Sequence, residues 1–284
     1  GGMVLNLAVN LRQKITLYEP RDEKPLKLKR PEGSSPKFYK AFFDAYGLKE
    51  MPFDAEFGGE ITGGTGSSAS AAVAMVGALN KFENYPMSNG EIAEKAWEIE
   101  CVVAGLFGGK QDQYASALGG CNALEFKNGT VTSQPMPKGF IEWMLPYMML
   151  FHTPNRSNTK IQEGLRKLTP VKKASLDAIK KLMVDGVEAI GLKNIEAVGN
   201  VLKASWEAKK NSNNVTTPEV DKLYSKAISL GSYGGKLMGS GGGGYMFFLV
   251  EPSKWVDFKK EFCNKDVKWV DFSPSWDGLE VRKI

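Results

Sequence analysis

Residues 58–75 read GGEITGGTGSSASAAVAM: Gly58, Gly59, Gly63, Gly64 and Gly66 run into Ser67-Ser68 and an alanine-rich apolar stretch. Glycine lets backbone N–H groups approach a ligand with no Cβ in the way. A helix beginning directly afterwards adds its unpaired first-turn N–H groups and the positive end of its dipole. Such a loop suits a polyphosphate. The two serines serve as N-caps of the helix or, through a hydroxyl, as ligand to a phosphate-bound Mg²⁺. On these residues alone, a capped helix after a pliant loop explains the segment equally well.

A second glycine cluster, GGKLMGSGGGGYMFFLV, covers 234–250. Gly239, Gly241 and Gly244 match the spacing GxGxxG, yet an aromatic and β-branched strand follows where the dinucleotide fingerprint requires a helix. GLFGGKQ (105–111) and GSYGGKL (231–237) each contain Gly-Lys, but Gln111 and Leu237 stand where a P-loop needs Ser or Thr. Both nucleotide-binding folds with those signatures are thereby set aside. Three further stretches complete the chemistry-bearing sequence: Glu100, the segment GGKQDQYASALGG (108–120) with Asp112, and FHTPNRSNTKI (151–161).

The 284 residues carry 37 Lys plus Arg against 32 Asp plus Glu, for a net charge of +5, and are 42% hydrophobic and 24% charged. This is the balance of a folded, water-soluble chain long enough for two cores of about 100 to 150 residues. Without a run of basic residues, nucleic acid is a poor partner. The apolar run Phe140 to Phe151 contains Glu142 and Pro146 and falls short of the roughly 20 residues that cross a bilayer, so no membrane partner is expected. The start, GGMVLNLAVN, has no signal-peptide pattern. Cys101, Cys121 and Cys263 are widely spaced, as reduced cytoplasmic core thiols are. His152, the single histidine, sits at the polar end of an apolar run and receives no role. Acid–base chemistry therefore falls to carboxylates or Lys.

Periodicity predicts strands over 3–9 and 14–18, joined as a hairpin, then an aromatic helix from Pro36 to Leu48 stopped by Gly47. A strand from Asp54 to Ile61, a buried helix from Ser67 to Leu79 and a helix from Glu91 to Ala104 follow. CNALEF and TVTSQPM flank Asn128-Gly129, a hairpin signal. Amphipathic helices cover 171–190, 195–210 and 218–230, then come the strand YMFFLV, a helix over 254–262, and strands at VKWVDF and LEVRKI. Strands and helices do not alternate regularly, which favours an α+β class, with domains 1–154 and 155–284. The aromatic helix is a candidate homodimer contact if its ring stripe is exposed.

TGGTGSSASAA resembles the second motif of the GHMP small-molecule kinases, and KLMGSGGGGYMFFLV resembles their third. Glu100 with Asp112 in GGKQDQYASALGG, FHTPNRSNTKI, and ISLGSYGGKLMGSGGGGY are similar to the branch that phosphorylates the anomeric position of sugars. The resemblance spans essentially the whole chain. It departs where Ile61 and Thr62 replace a Pro and an extra Gly, where Thr65 replaces Leu, and where the first family motif is missing ahead of Gly1-Gly2. A shortened record of a longer protein is the favoured explanation, since a missing strand leaves an open sheet edge.

The resemblance implies the two-domain GHMP kinase fold, with an N-terminal domain like the second domain of ribosomal protein S5 and a ferredoxin-like C-terminal domain. It implies ATP as donor, with phosphates on Gly63, Gly64, Thr65, Gly66, Ser67 and Ser68, next to Gly239, Gly241 and Gly242. Mg²⁺ falls to Ser68 and Glu100, with Ser67 as second choice. Asp112 accepts the sugar hydroxyl proton, and Lys110 keeps it ionised and offsets transition-state charge. Gln111, Gln113, Arg156 and Lys160 face the sugar or its distal phosphate. D-glycero-D-manno-heptose 7-phosphate is the foremost substrate; a fucokinase-like activity, or nucleotide and sugar binding without turnover, are the alternatives. Read without the resemblance, Glu100 is equally a solvated helix end and Asp112 the N-cap of a short helix 113–118. The third motif is then a glycine bend before a strand, and Arg156 and Lys160 are a surface pair.

Overall fold

The computed structural model describes residues 2–18, 28–29, 36–47, 54–59, 64–106, 108–154, 169–212, 215–239 and 241–283. Two compact units emerge: one holds the described residues within Gly1–Asn6, Gly63–Thr65 and Cys121–Phe272, the other those within Leu7–Thr62, Gly66–Gly120 and Ser273–Ile284.

In the first unit, β1 (Gly2–Leu7) lies beside β5 (Cys121–Lys127), which pairs with β6 (Thr130–Pro135). Asn128 and Gly129 both take positive φ, 51° and 82°, the type I′ geometry that matches strand twist, and so close the hairpin the sequence signals. A four-stranded antiparallel sheet has the order β10-β7-β9-β8, built from β7 (Met148–Thr153), β8 (Gly234–Leu237), β9 (Gly244–Leu249) and β10 (Lys268–Val270). Helices α6 (Pro170–Gly191), α7 (Ile195–Ser212), α8 (Pro218–Ser229) and α9 (Trp255–Phe262), with the short α5 (Lys138–Glu142), complete this unit. The sheet buries Met149, Phe151, Met246 and Phe248 against Trp206, Phe258 and Phe262, each side chain contributing about 1.5–3 kcal/mol on leaving water. Phe151 and Phe262 meet edge to face at 4.7 Å. His152, next to last in β7, has its ring 5.0 Å from that of Tyr245, a packing position.

The second unit contains the sheet β2-β4-β3, formed by β2 (Gln13–Tyr18), β4 (Asp54–Gly59) and β3 (Leu28–Lys29). Strands β2 and β4 run antiparallel from Gln13↔Gly59 to Tyr18↔Asp54. The unit also contains α1 (Pro36–Ala45), α2 (Ser67–Phe82), α3 (Asn89–Trp97) and α4 (Gln111–Leu118). As its all-round apolar character requires, α2 is interior: Ala72, Met75, Val76 and Leu79 are fully buried. Ser88 and Glu91 start α3 with a reciprocal capping box, the Ser88 N–H donating to Glu91 at 2.7 Å.

Several expectations need correcting. The first two strands do not form a hairpin: β1 joins β5 and β2 joins β4, and the link between them is held by distant segments, Ala8 N–H donating to Gly120 O at 2.8 Å and Val9 bridging Pro274. The helix over 91–104 is α only to Trp97, and Glu98–Val103 continues as a π-helical turn. LEVRKI forms no strand over 279–283. Those residues instead belong to a tail that crosses the second unit, with Ser275 N–H donating to Ala8 O at 2.9 Å and Leu279 N–H donating to Ala117 O at 3.1 Å. Arg12 holds the tail through Ser275 Oγ at 2.7 Å, two backbone carbonyls and Glu280. Phe38, Phe42 and Phe43 of α1 are buried within the chain, which removes the premise of a dimer contact through that stripe. No described helix is long and apolar enough to cross a membrane.

Candidate active site

The described part of the glycine loop turns at Gly64, Thr65 and Gly66, and α2 begins at Ser67. Gly66 occupies the N-cap position with φ 77°, and no side chain caps the helix. Neither serine therefore acts as the N-cap. Ser68 instead donates its hydroxyl to Glu100 Oε1 in a short hydrogen bond. Glu100, only 6% exposed, comes from the π-helical turn after α3 and also accepts from Gln113 Nε2 of α4 at 2.8 Å. A solvated helix end is thus excluded for Glu100. π-turns insert a residue into a helix and recur at functional positions.

Burial pushes the Glu100 carboxyl above the usual carboxylate range; the bonds from Ser68 and Gln113 oppose this and the nearby Asp112 charge adds to it. Gln113 is itself 2% exposed, and its Oε1 is buried with no hydrogen-bond partner among the described residues. Burial, then the Glu100 charge, pushes the neighbouring Cys101 thiol up to about 11, and burial does the same to Cys121. Of the three expected core thiols, Cys121 is buried, while Cys101 and Cys263 are half-buried.

Asp112 lies in the first turn of α4, whose N-cap position is Lys110, so Asp112 is not a cap residue. It is packed against the loop: a methyl group on Gly66 would stand 3.2 Å from Asp112 Cβ and 3.3 Å from Cγ. Gln111 donates to Asp112 Oδ1 at 3.3 Å. The Lys110 ammonium bonds Glu94 at 2.6 Å and sits 4.6 Å from the centre of the Trp97 ring. The structure thus brings Gly66, Ser68, Glu100, Asp112 and Gln113 together within one unit. Gly63, Arg156 and Lys160 lie outside the described residues.

In the other unit the third motif backs the loop's Gly64. A Cβ on Gly239 would approach Gly64 Cα and its carbonyl oxygen to 2.9 Å, and one on Gly64 would approach Tyr245 N to 3.3 Å. Gly242 N–H donates to Val215 O at 2.9 Å and Lys209 Nζ donates to Gly239 O at 2.7 Å. The glycine bend is therefore a backbone-to-backbone support for the loop. Thr65 Oγ1 is buried with no partner among the described residues.

The oxygen donors suit Mg²⁺. Ser68 and Glu100 offer a hydroxyl and a carboxylate side by side, and a buried carboxylate with a raised pKa is relieved by a cation. Among the described residues no group of three acidic, His or Cys side chains forms a cage.

Sequence reasoning missed Glu94 and Tyr114, whose hydroxyl donates to Glu94 Oε1 at 2.7 Å. The available signal was the i,i+4 spacing of Lys110 and Tyr114, which puts two donors on one side of α4.

Family models match at residues 36–120, described as GHMP kinases N terminal domain, and at 183–266, described as GHMP kinases C terminal. The chain is 32% identical over 228 residues to the D-glycero-alpha-D-manno-heptose 7-phosphate kinase of Campylobacter jejuni, covering 78% of this chain and 67% of that protein. It is similar in fold to a D-glycero-D-manno-heptose 1-phosphate kinase from Bacteroides thetaiotaomicron, with a TM-score of 0.74 and 22% identity over 100% of this chain and 92% of that one. It is likewise similar to Lactococcus lactis galactokinase complexed with galactose, with a TM-score of 0.76 and 17% identity over 98% and 89% of the two chains.

Proposed function

The chain belongs to the GHMP kinase family, and from that membership we propose an ATP-dependent sugar kinase that converts D-glycero-D-manno-heptose 7-phosphate to the 1,7-bisphosphate in the cytoplasm. The observation that carries this reading is the cluster Ser68–Glu100–Gln113 at the start of α2, with Asp112 pressed against Gly66.

In this reading Gly63 to Ser68 cradle the triphosphate with backbone N–H groups, and Gly239, Gly241 and Gly242 support that loop. Ser68 and Glu100 hold Mg²⁺, which when bound neutralises charge on the phosphates. Asp112 accepts the proton of the anomeric hydroxyl as that oxygen bonds to the γ-phosphorus and the bond to the β-γ bridging oxygen breaks, releasing ADP. An anomeric hydroxyl is more acidic than an ordinary alcohol, so a carboxylate within hydrogen-bond reach suffices as its base. Phosphoryl transfer asks for positioning and charge neutralisation more than covalent chemistry. Lys110 is held by Glu94 and acts through that pairing on the start of α4. Gln111 and Gln113 orient the sugar, and Arg156 and Lys160 bind its distal phosphate. The division of work is an N-terminal domain to residue 154 with the loop and both carboxylates, and a C-terminal domain, 155–284, with the third motif.

The test is ADP release with ATP and Mg²⁺ across a panel of free and phosphorylated sugars. Turnover that needs the 7-phosphate supports the reading. Turnover on fucose or another free sugar moves the substrate to the fucokinase-like alternative, and binding of ATP and sugar with no ADP formed overturns the kinase.

A further inference from the structure

We propose that Glu94 is a positioning residue that fixes the placement of α4, and with it Asp112, relative to Glu100; the inference rests on the roles given above to those two carboxylates. Glu94 lies in α3 and accepts two hydrogen bonds from α4, one on each oxygen: Lys110 Nζ at 2.6 Å and Tyr114 OH at 2.7 Å. Lys110 and Tyr114 are one helical turn apart and share a side of α4, while Asp112, midway between them, is turned through about 200° at 100° per residue. Asp112 accordingly meets Gly66 while Glu94 grips the opposite side of the helix. The same continuous segment, α3 with its π-turn, reaches α4 again downstream, where Glu100 accepts from Gln113. Asp112 thus sits between two anchor points supplied by one rigid piece.

The anchoring extends to the approach of α4. The Lys110 ammonium rests on Trp97, and Trp97 Nε1 donates to Gly108 O at 3.2 Å, so the chain entering α4 is tied to α3 as well. The Lys110 side chain is 15% exposed and that of Glu94 38%, so this is a half-buried ion pair and its worth lies in geometry more than in stability. An apolar contact would hold two helices together as firmly, because buried ion pairs are poor sources of stability. Directional bonds to both oxygens of one carboxylate add control over rotation and sliding of α4, the freedoms that decide where Asp112 points.

The experiment compares Glu94→Gln, Tyr114→Phe and the double variant with the parent, using steady-state kinetics and amide hydrogen exchange. Glu94→Gln keeps side-chain size and loses the charge that holds Lys110. The expected result is a fall in kcat of about ten- to a hundredfold, the range that a misplacement of up to 1 Å produces. KM for ATP stays within about twofold, since the loop is untouched, and the double variant loses less than the product of the two single losses because both substitutions act on Glu94. Exchange should quicken selectively at the α4 amides. A loss of kcat that merely tracks the folded fraction, or parental kcat with parental α4 exchange, overturns the proposal. Should the parent turn over no sugar in the panel, the kinase reading fails by itself. The exchange measurement then still decides whether Glu94 fixes α4: quickening confined to α4 supports it and unchanged rates refute it. If Glu94→Gln fails to fold, Tyr114→Phe, which removes one hydrogen bond, carries the same measurements.

Discussion

Replacing Gly66 by Ala probes whether the loop and Asp112 work as one unit. Gly66 has φ 77° and ψ 21°, a left-handed conformation that costs an L-residue about 1–2 kcal/mol. Ala lowers the entropy of the unfolded chain and returns about 0.4–1 kcal/mol of that, so the net stability loss should be about 1 kcal/mol. The catalytic cost comes from elsewhere. The new methyl would stand 3.2 Å from Asp112 Cβ and 3.3 Å from Cγ, inside the ~3.5–4.0 Å optimum for carbon contacts. Cβ and Cγ of Asp112 must yield by a few tenths of an ångström and carry the carboxylate with them, while Oδ2 at 3.5 Å is in ordinary contact. Displacement of a base on that scale should lower kcat by about ten- to a hundredfold. The assay is coupled ADP release at saturating ATP and sugar, normalised to the folded fraction from urea titration. In the background of Asp112→Asn, Gly66→Ala should cost little further kcat, since the group it displaces no longer acts. Parental kcat with the ~1 kcal/mol stability loss in place would refute the argument that contact with the loop positions Asp112.

Asp112→Asn alone should reduce kcat by at least about a hundredfold with ATP affinity retained, and near-parental turnover would remove Asp112 from the mechanism. Glu100 has a pKa raised by burial, so the folded state holds its proton more tightly than the unfolded chain; that contribution to stability is full below the unfolded value of 4.5 and is lost as pH rises through the folded value. Glu100→Gln should therefore resist urea better than the parent at pH 8 without Mg²⁺, the advantage shrinking toward pH 4; a constant difference across that range would contradict the assignment. Gly278→Ala should destabilise by about 2–3 kcal/mol or more, because its Cβ would fall 2.1 Å from Ala117 O, a backbone atom of α4 that cannot step aside. A thermal melt with an unshifted midpoint would show that the tail docks differently.

What could be read in the sequence was local. The apolar density of Ser67 to Leu79 predicted a buried helix because no face of it is polar, and Asn128-Gly129 predicted its hairpin because both positions need positive φ. The pairing of β1 with β5 was illegible, since residues more than a hundred positions apart leave no trace in each other's periodicity. The tail misled for a related reason. LEVRKI alternates like a strand, but Leu279 is held by its N–H bond to Ala117 O, a contact between distant segments. At the site, the glycine loop, Glu100 and Asp112 could be singled out by residue type and resemblance. The π-turn that delivers Glu100 could not, because it is set by packing, nor could the partner of Lys110. A Lys two positions before an Asp suggests their pairing, whereas the fold gives its ammonium Glu94 and a Trp97 ring.

The arrangement of charge connects these observations to the chemistry. Three carboxylates, Glu94, Glu100 and Asp112, come from two adjacent helical segments, and they are not equivalent. Glu94 is answered by Lys110 and by the Tyr114 hydroxyl. Among the described residues Glu100 is answered by neutral donors, Ser68 and Gln113, which satisfy its oxygens without cancelling its charge, and the Asp112 charge acts on it as well. A carboxylate buried with neutral partners and a like charge nearby is costly in its ionised form. That cost falls when a cation binds beside it, and in the proposed reading that cation is the Mg²⁺ of the nucleotide, at the start of α2 where no side chain caps the helix. In that reading the charge at Glu100 favours the metal-bound nucleotide over nucleotide alone, while Glu94, already paired with Lys110 and Tyr114, holds α4 in place.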